Sequence, residues 1–432
     1  MKNVGTMSLN ILITSAGHKT NLVRYFRRAL THEGGGKLYL SDCSSGSRAR
    51  HFADGLLISP SVDKGDAFCQ WLIAAVKQYA IRCIVPSRDG DLRQLSELKE
   101  TLWNDFQCHV LVPGKSTVAL CLNKKNFYHW CAENGYQTAG CDSVATARPS
   151  QFPVFVKPCV GSGSQGAQIL NSVQEWDAFC ATLPEALSSD YLVQSYVDGV
   201  EYTVDCFVNM AGTPVSIVPR ERVQTLSGES VEAKIHMDNA LIAVATRLVE
   251  QLQLTGQSTI QLFKVDDIVI VSEVNPRFGG GFTLSVEAGA DTPRYVIREL
   301  MGKAIEHDVT QLDTDLQMVR VQKDVFIRNE LTQPREQKTY CVDLDGTLCT
   351  ESCPYEEAQP IALTIDKVNR LYHQGHRILI HTARGAASGR DWRPLVESQL
   401  ADWNVRYHAL VMGKPYADFY IDNKAVDVLE WV

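Results

Sequence analysis

The sequence predicts an α/β protein of more than one domain, on three observations. A length of 432 residues exceeds what one hydrophobic core usually serves, and 45% hydrophobic with 21% charged residues is ordinary for a folded chain. The first third alternates short apolar runs with helical patterns, the signature of a parallel sheet with crossover helices. Beyond about residue 338, three further apolar runs end in polar groups, in "YCVDLDG", "HRILIHTARG" and "GKPYADFYIDNKA". A net charge of −8 without a long basic run excludes a strong electrostatic hold on nucleic acid or anionic membrane. No apolar run approaches the roughly 20 residues that span a bilayer, and the first residues lack the apolar core of a signal peptide. The expectation is a cytoplasmic protein acting on small molecules. Thirteen cysteines without paired C-x-x-C spacing fit buried, reduced thiols, with a Cys349 and Cys353 redox pair as the minor alternative.

Element by element, "NILITSAG" reads as a strand, "NLVRYFRRAL" as a helix, "KLYLSDCSS" as a strand, "DAFCQWLIAAVKQYA" as a helix and "IRCIVPSRDGD" as a third strand. "TSAGHKT" lacks the G-x-G-x-x-G that brings a backbone up to a pyrophosphate, which disfavours a nicotinamide-binding domain. The strand ends at Ser15 to Thr20 and Ser87 to Asp91 form the edge where such sheets bind ligands, with simple turns as the plain alternative. "LCLNKKNFYHWCAENGY" reads as one helix leading into "FPVFVKPCVGSGSQGAQIL", a strand, a loop and a strand. The loop residues Gly161, Ser162, Gly163 and Ser164 can turn N–H groups onto phosphate oxygens, and Lys157 at the strand end adds a positive charge. A flexible hairpin is the competing reading. In "YLVQSYVDGVEYTVDCFVN", Gln194, Ser195, Tyr196 and Val197 are placed to read a flat base with main-chain groups at a hinge, and Glu201 to take ribose hydroxyls.

The segment "STIQLFKVDDIVIVSEVNPRFGGG" is the sharpest in this half. Glu273 and Asn275 are two apart on a strand and share a face, which suits a hard cation, and Arg277 can meet a phosphate or carboxylate bidentately. A two-residue turn at Asp266 and Asp267 pairs Gln261 with Ser272 and sends Gln261 to the other face. A one-residue bulge pairs it with Glu273, the register Gln261 needs to be a third ligand.

Taken in order, Lys124, Lys157 with its glycine loop, the hinge at 194–197, Glu201, and the set Gln261, Glu273, Asn275 and Arg277 resemble the ATP-grasp superfamily over about residues 1–325. The stretch carrying "EVNPR" is most similar to the large subunit of carbamoyl phosphate synthetase and related carboxylate–amine ligases. The resemblance implies a parallel αβ pre-domain (1–118) followed by an ATP-grasp domain of two α+β subdomains (119–325). It implies ATP between the subdomains, Mg²⁺ with Mn²⁺ as the alternative ion, and activation of a carboxylate as an acylphosphate that an amine captures. Arg220, Arg222, Gly279 and Gly280 lie where family members contact phosphate or the acid substrate, although a plain surface arginine is the expected fate of Arg220 or Arg222. Gln261 stands where many members have a carboxylate.

Polar residues 326–337 read as a linker. In 338–432, Asp343 and Asp345 share a face at the end of a strand, and Thr382, Lys414 and Asp422 accompany the later apolar runs. This ordered set resembles the haloacid dehalogenase-like phosphatases. The resemblance implies Asp343 as nucleophile, Asp345 as general acid and base, Thr382 and Lys414 holding phosphoryl oxygens, and Mg²⁺ held by Asp343, Asp345 and Asp422. Asn423 replaces a frequent second acid, and the intervals between these residues leave no room for a cap domain. The expectation is a bifunctional ligase and phosphatase for a carboxylate, an amine and a phosphomonoester, compatible with a homo-oligomer. A small-molecule kinase with a fused phosphatase, or a degenerate nucleotide-binding or scaffold module in one half, remains the alternative.

Overall fold

The computed structural model describes residues 9–161, 163, 165–226, 228–305, 307–321, 324, 337–352, 354–373, 375–417, 424–426 and 431. The first elements are β1 (Asn10–Thr14), α1 (Thr20–Glu33), β2 (Leu38–Asp42), β3 (Gly55–Ile58), α2 (Asp66–Gln78), β4 (Ile81–Pro86), α3 (Leu92–Phe106) and β5 (His109–Val110). Their strands pair in parallel in the order β3-β2-β1-β4-β5. Ile11 and Ile13 of β1 face Val23, Phe26 and Leu30 of α1, whereas Leu12 packs with Phe68, Leu72 and Leu92 on the opposite side. This two-sided burial is why β1 reads as an unbroken apolar run. The sequence reading missed β3 and β5, which are short; β3 makes "IRCIVP" the fourth strand rather than the third. Because the order reverses between β1 and β4, the loops that follow them part at a crevice. There Ser87 Oγ donates to Ser15 O (2.9 Å) and Ser15 Oγ to Asp91 Oδ1 (2.9 Å).

The single predicted helix after this layer is two, α4 (Lys115–Leu122) and α5 (Lys124–Glu133). Asn123 between them has extended backbone, and its side chain accepts from the Asn126 N–H, so it caps α5 and ends α4. Next come β6 (Asp142–Ser143), β7 (Val154–Pro158), β8 (Gln168–Leu170), α6 (Val173–Thr182) and β9 (Tyr191–Ser195). They form an antiparallel sheet, β6-β9-β7-β8, packed on Trp176 of α6.

A larger antiparallel sheet follows, from β10 (Val200–Val208), β11 (Pro214–Leu226), β12 (Glu229–Ile235), α7 (Asn239–Gln251), β13 (Gly256–Val265), β14 (Ile268–Asn275), α8 (Phe282–Glu287), α9 (Thr292–Leu300) and β15 (Gln317–Val319). Its order is β14-β13-β10-β11-β12-β15. Tyr202, Val204, Cys206 and Val208 of β10 pack with Ile260, Leu262 and Val274 against Phe127 and Cys131 of α5 and Leu241 and Leu248 of α7. The alternate positions Glu201, Thr203 and Asp205 therefore line the other face, as the period of two requires.

The C-terminal elements are β16 (Thr339–Asp343), α10 (Ala362–His373), β17 (Arg377–Thr382), α11 (Arg393–Asp402) and β18 (Ala409–Met412). They make a parallel three-stranded sheet, β16-β17-β18, around Val342, Leu344, Val368, Ile378, Ile380, Val396 and Leu400. Its third strand among the described residues is β18, which precedes Lys414 and which the sequence reading did not single out; the run expected to end at Asp422 falls outside them. Residues 418–423, with Asp422 and Asn423, and all of the predicted linker except Gln337 lie outside the described residues. Among the described residues no helix is long and apolar enough to cross a membrane.

Candidate active site

The polar face of the six-stranded sheet gathers most of the predicted residues. The β13–β14 hairpin pairs Leu262 with Val271 and then Gln261 with Glu273, a register shift that leaves Ser272 as the extra residue of a bulge. Gln261, Glu273 and Asn275 thus share the face that also carries Glu201, Thr203 and Asp205, through the pairs Thr203–Gln261 and Asp205–Thr259. Asn275 Nδ2 donates to Glu273 Oε1 at 2.7 Å. Lys124, at the first turn of α5, approaches Glu273 Oε2 at 3.7 Å and donates to Gly161 O at 2.6 Å. One lysine therefore touches both the carboxylate of the sheet and the start of the glycine loop.

Gly161, Gly163 and Gly166 all have positive φ, a backbone that side chains resist. Ser162 and Ser164 lie outside the described residues. Lys157, expected as a positive charge at the end of β7, is buried there, with Nζ donating to Tyr128 OH at 3.0 Å. The hinge residues Gln194, Ser195, Tyr196 and Val197 span the end of β9 and the passage to β10, where the chain crosses from one sheet to the other. Gln194 is buried and its Oε1 has no hydrogen-bond partner among the described residues, while Ser195 and Tyr196 are exposed. A buried amide oxygen without a donor is costly and suits a ligand N–H.

Glu201 meets Arg222 Nη1 at 3.3 Å. Burial pushes its carboxyl above the ordinary range; Arg222 opposes the shift and Glu273 adds to it. Two carboxylates that repel across one sheet face, with the amide oxygens of Gln261 and Asn275 beside them, form a donor set that fits a hard divalent cation.

One expectation is corrected here. Neither Arg220 nor Arg222 is a surface arginine, because β11 turns both onto this buried face. Arg220 Nε donates to Asp205 Oδ2 (2.9 Å) and Nη1 to Ser230 Oγ (3.3 Å), while Arg222 Nη2 donates to Gly228 O (3.0 Å). Arg277 does have a bidentate carboxylate partner, but it is Asp89 of the loop after β4, with Nε to Oδ1 at 2.7 Å and Nη2 to Oδ2 at 2.6 Å. Burial works against its charge, but Asp89 raises the Arg277 pKa above its ordinary value. Gly279 and Gly280 serve close packing: added Cβ atoms would lie 2.6 Å from Thr259 Oγ1 and 2.9 Å from the Glu229 carboxylate, and at Gly281 one would lie 2.5 Å from Arg220 Nη1. Asp205 was legible in principle from its alternation with Glu201. Asp89 and Tyr128 carried no local signal of their partners.

A second cluster sits at the strand ends of the C-terminal sheet. Asp343 ends β16 opposite His381, Thr382 ends β17, and Lys414 follows β18. Lys414 Nζ donates to Asp343 Oδ2 and its N–H to Thr382 O (3.1 Å). Asp345, expected beside Asp343 at a metal and as acid and base, turns instead to Arg384, which the sequence reading missed. Arg384 has no exposed side-chain surface and donates Nε to Asp345 Oδ2 (2.9 Å) and Nη2 to Oδ1 (2.6 Å). Gln399 Oε1 accepts from its Nη1 at 2.7 Å, and its guanidinium lies 4.5 Å from the Tyr355 ring centre. A buried guanidinium demands a counter-ion, and Asp345 is the carboxylate the fold supplies. Cys349 is buried with its thiol pushed well up by burial, and Cys353 lies outside the described residues.

Comparison with known proteins adds to this geometry. The family described as ATP-grasp in the biosynthetic pathway with Ter operon matches residues 188–324, and the PylC-like N-terminal domain matches residues 11–108. The carbamoyl phosphate synthase large chain of Agathobacter rectalis is 30% identical over 139 residues, covering 29% of this chain and 13% of that protein. The arginine-specific large chain of Halalkalibacterium halodurans is 27% identical over 173 residues, covering 38% of this chain and 16% of that one. The matched stretch is a small part of either relative. Among solved structures, the biotin carboxylase domain of Hydrogenobacter thermophilus 2-oxoglutarate carboxylase, in complex with MgADP and bicarbonate, superposes with a TM-score of 0.57 at 14% identity, covering 72% of this chain and 74% of that one. N5-carboxyaminoimidazole synthetase from Staphylococcus aureus, complexed with ADP, gives 0.55 at 14% identity over 69% of this chain and 79% of that one. At such identities the likeness is one of fold. The solved structures thus show a mixed α/β ATP-grasp fold, and residues 188–324, which carry Glu273, Asn275 and Arg277, are similar to an ATP-grasp family.

Proposed function

We propose that this protein is an ATP- and Mg²⁺-dependent ligase that activates a carboxylate for attack by an amine, and that its C-terminal sheet hydrolyses phosphomonoesters. The observation that carries the first half is the bulged register that sets Gln261 opposite Glu273, on one face with Asn275 and next to Lys124. Glu273, Asn275 and Gln261 would hold Mg²⁺ or Mn²⁺, which offsets phosphate charge and orients the transferring group when bound. Lys124, Lys157 and the loop from Gly161 to Ser164 would meet the phosphates, and residues 194–197 with Glu201 the nucleoside. The orphaned Gln194 Oε1 supports a ligand donor at the hinge. Arg277 meets the carboxylate or the phosphoryl group, and closure of the glycine loop keeps water from the acylphosphate.

In the second site the Asp343 carboxylate attacks phosphorus as the P–O bond to the alcohol breaks. Asp345 gives the alcohol its proton and then takes one from the water that hydrolyses the aspartyl phosphate, while Lys414 and Thr382 steady the phosphoryl oxygens. The contact of Lys414, just after β18, with Asp343 at the end of β16, two strands away, supports this reading. Mg²⁺ at Asp343 and Asp422 would neutralise the approaching phosphate, and Asp345 reaches the leaving group only after releasing Arg384.

The test measures ADP release across a panel of carboxylates and amines with Asp343→Asn, so that the second site adds no phosphate. Acid- and amine-dependent ADP with a product of the adduct mass is expected. A stable phosphorylated product without an adduct makes this half a kinase instead. For the second site, wild-type protein is expected to hydrolyse para-nitrophenyl phosphate and Asp343→Asn to be inert; no hydrolysis by wild type removes the phosphatase.

A further inference from the structure

Arg277 belongs to the predicted ligand set, yet its guanidinium is held from a distant part of the chain. Asp89 lies 188 positions away, in the turn at the carboxyl end of β4, at the crevice of the parallel sheet. Of the five guanidinium N–H groups, Asp89 takes the Nε one and one on Nη2, and the Phe278 carbonyl accepts one from Nη1 at 3.1 Å. Two N–H groups are left, one on each terminal nitrogen, and neither has a partner among the described residues. Such terminal N–H groups are the ones that pair with a second carboxylate or with phosphoryl oxygens. The Arg277 side chain is 15% exposed, as is that of Asp89, so the pair is fixed by packing rather than free in solvent. The backbone adds a further restraint, because the Arg277 N–H donates to Asn275 O at 2.8 Å and keeps the arginine next to the proposed metal ligands.

We propose that Asp89 is a positioning residue for the ligase: it clamps the side edge of the Arg277 guanidinium so that the remaining N–H groups meet the acid substrate, and so makes the N-terminal sheet part of the ATP-grasp site. This rests on the reading of Arg277 as the residue that meets the substrate carboxylate or the phosphoryl group. The alternative use of the same contact is a latch, in which Asp89 occupies the seat of the substrate and must leave. The N–H groups left on the two terminal nitrogens favour the clamp, since a carboxylate can take them without displacing Asp89.

The test uses the full chain carrying Asp343→Asn, with Asp89→Asn, Asp89→Glu, Arg277→Lys and the Asp89→Asn/Arg277→Lys double variant. Acid-dependent ADP release gives kcat and the KM for the acid, and a fluorescent ADP analogue gives nucleotide affinity. Asp89→Asn is expected to lower kcat about 10- to 100-fold, the usual cost of a misplaced reacting group, with nucleotide affinity unchanged. Asp89→Glu, which keeps the charge, is expected to recover part of the loss and so separates positioning from a folding defect. On the Arg277→Lys background, Asp89→Asn is expected to cost nothing further, because a residue acting through Arg277 has nothing left to act on. Independent, multiplying losses overturn the proposal, as does a lowered KM for the acid in Asp89→Asn, the result a latch gives. If no acid elicits ADP release from the Asp343→Asn parent, the ligase reading itself fails; if the parent is active and Asp89→Asn matches it, only the clamp fails.

Discussion

Glu273 is the side chain on which the first site turns. Its Oε1 is taken by Asn275, its Oε2 lies near Lys124, and Glu201 repels it across the face. Removing its charge while keeping its shape leaves Lys124 and Asn275 in place but takes the strongest ligand from the cation. Glu273→Gln is expected to lower acid-dependent ADP release about 100-fold or more, partly recovered at high Mg²⁺ or Mn²⁺ in a coupled assay. An activity insensitive to Glu273→Gln would place the metal elsewhere. The same scale holds what the sequence did not disclose. "EVNPR" announced a carboxylate, an amide and a guanidinium, but not that Asp89 would face Arg277 or that Arg384 would claim Asp345. An ion pair is a relation between two positions, and a single run of residues contains only one of them.

The β13–β14 hairpin shows what an element adds to its residues. An even register would have turned Gln261 away from Glu273; the extra Ser272 restores their common face while leaving Val271 and Val274 in the core. The alternative registers were readable in the sequence, and the packing of the apolar face chooses between them, since the other register would bury Glu273 among Ile260 and Leu262. A second element-scale contact joins α1 to α9. Glu33, at the end of α1, is 3% exposed and accepts from Arg294 (2.6 Å), Lys303 (3.0 Å) and Arg298 (3.2 Å). Burial alone would raise its carboxyl, but hydrogen bonds from Arg294 and Lys303 hold it down at about 2, against an ordinary 4.5. A carboxylate depressed in the folded state contributes its full stability above the unfolded value and loses it as pH falls toward the folded one. Glu33→Gln is therefore expected to cost about 2 kcal/mol at pH 7, a figure discounted for the half-exposed Arg294 and Lys303. In urea titrations the difference from wild type should shrink as pH falls from 4.5 toward 2; a difference independent of pH would mean packing, not charge, is lost.

At the scale of the whole molecule, the two candidate sites stand on separate cores. The buried cluster of Val342, Ile378, Ile380, Val396 and Leu400 draws only on C-terminal residues, while the clusters beneath the polar sheet draw on the earlier ones. Differential scanning calorimetry of the full chain is expected to show two transitions. MgADP should raise only the one belonging to the ATP-grasp part, and Leu400→Ala should lower only the other, at a cost of about 2–5 kcal/mol. One transition moved by both changes would show a single cooperative unit. What the sequence by itself determined is local in origin: the alternation that puts Glu201 and Asp205 on one face, the glycines of the loop at 161–166, and the carboxylates at strand ends. Backbone periodicity and turn chemistry act over a few residues, so they leave a legible pattern. Only the tertiary structure decided which charges meet. Asp89 with Arg277, Lys157 with Tyr128, and Asp345 with Arg384 come together because strand order and layer packing join segments far apart in the chain, and a buried charge takes the partner that this packing brings to it.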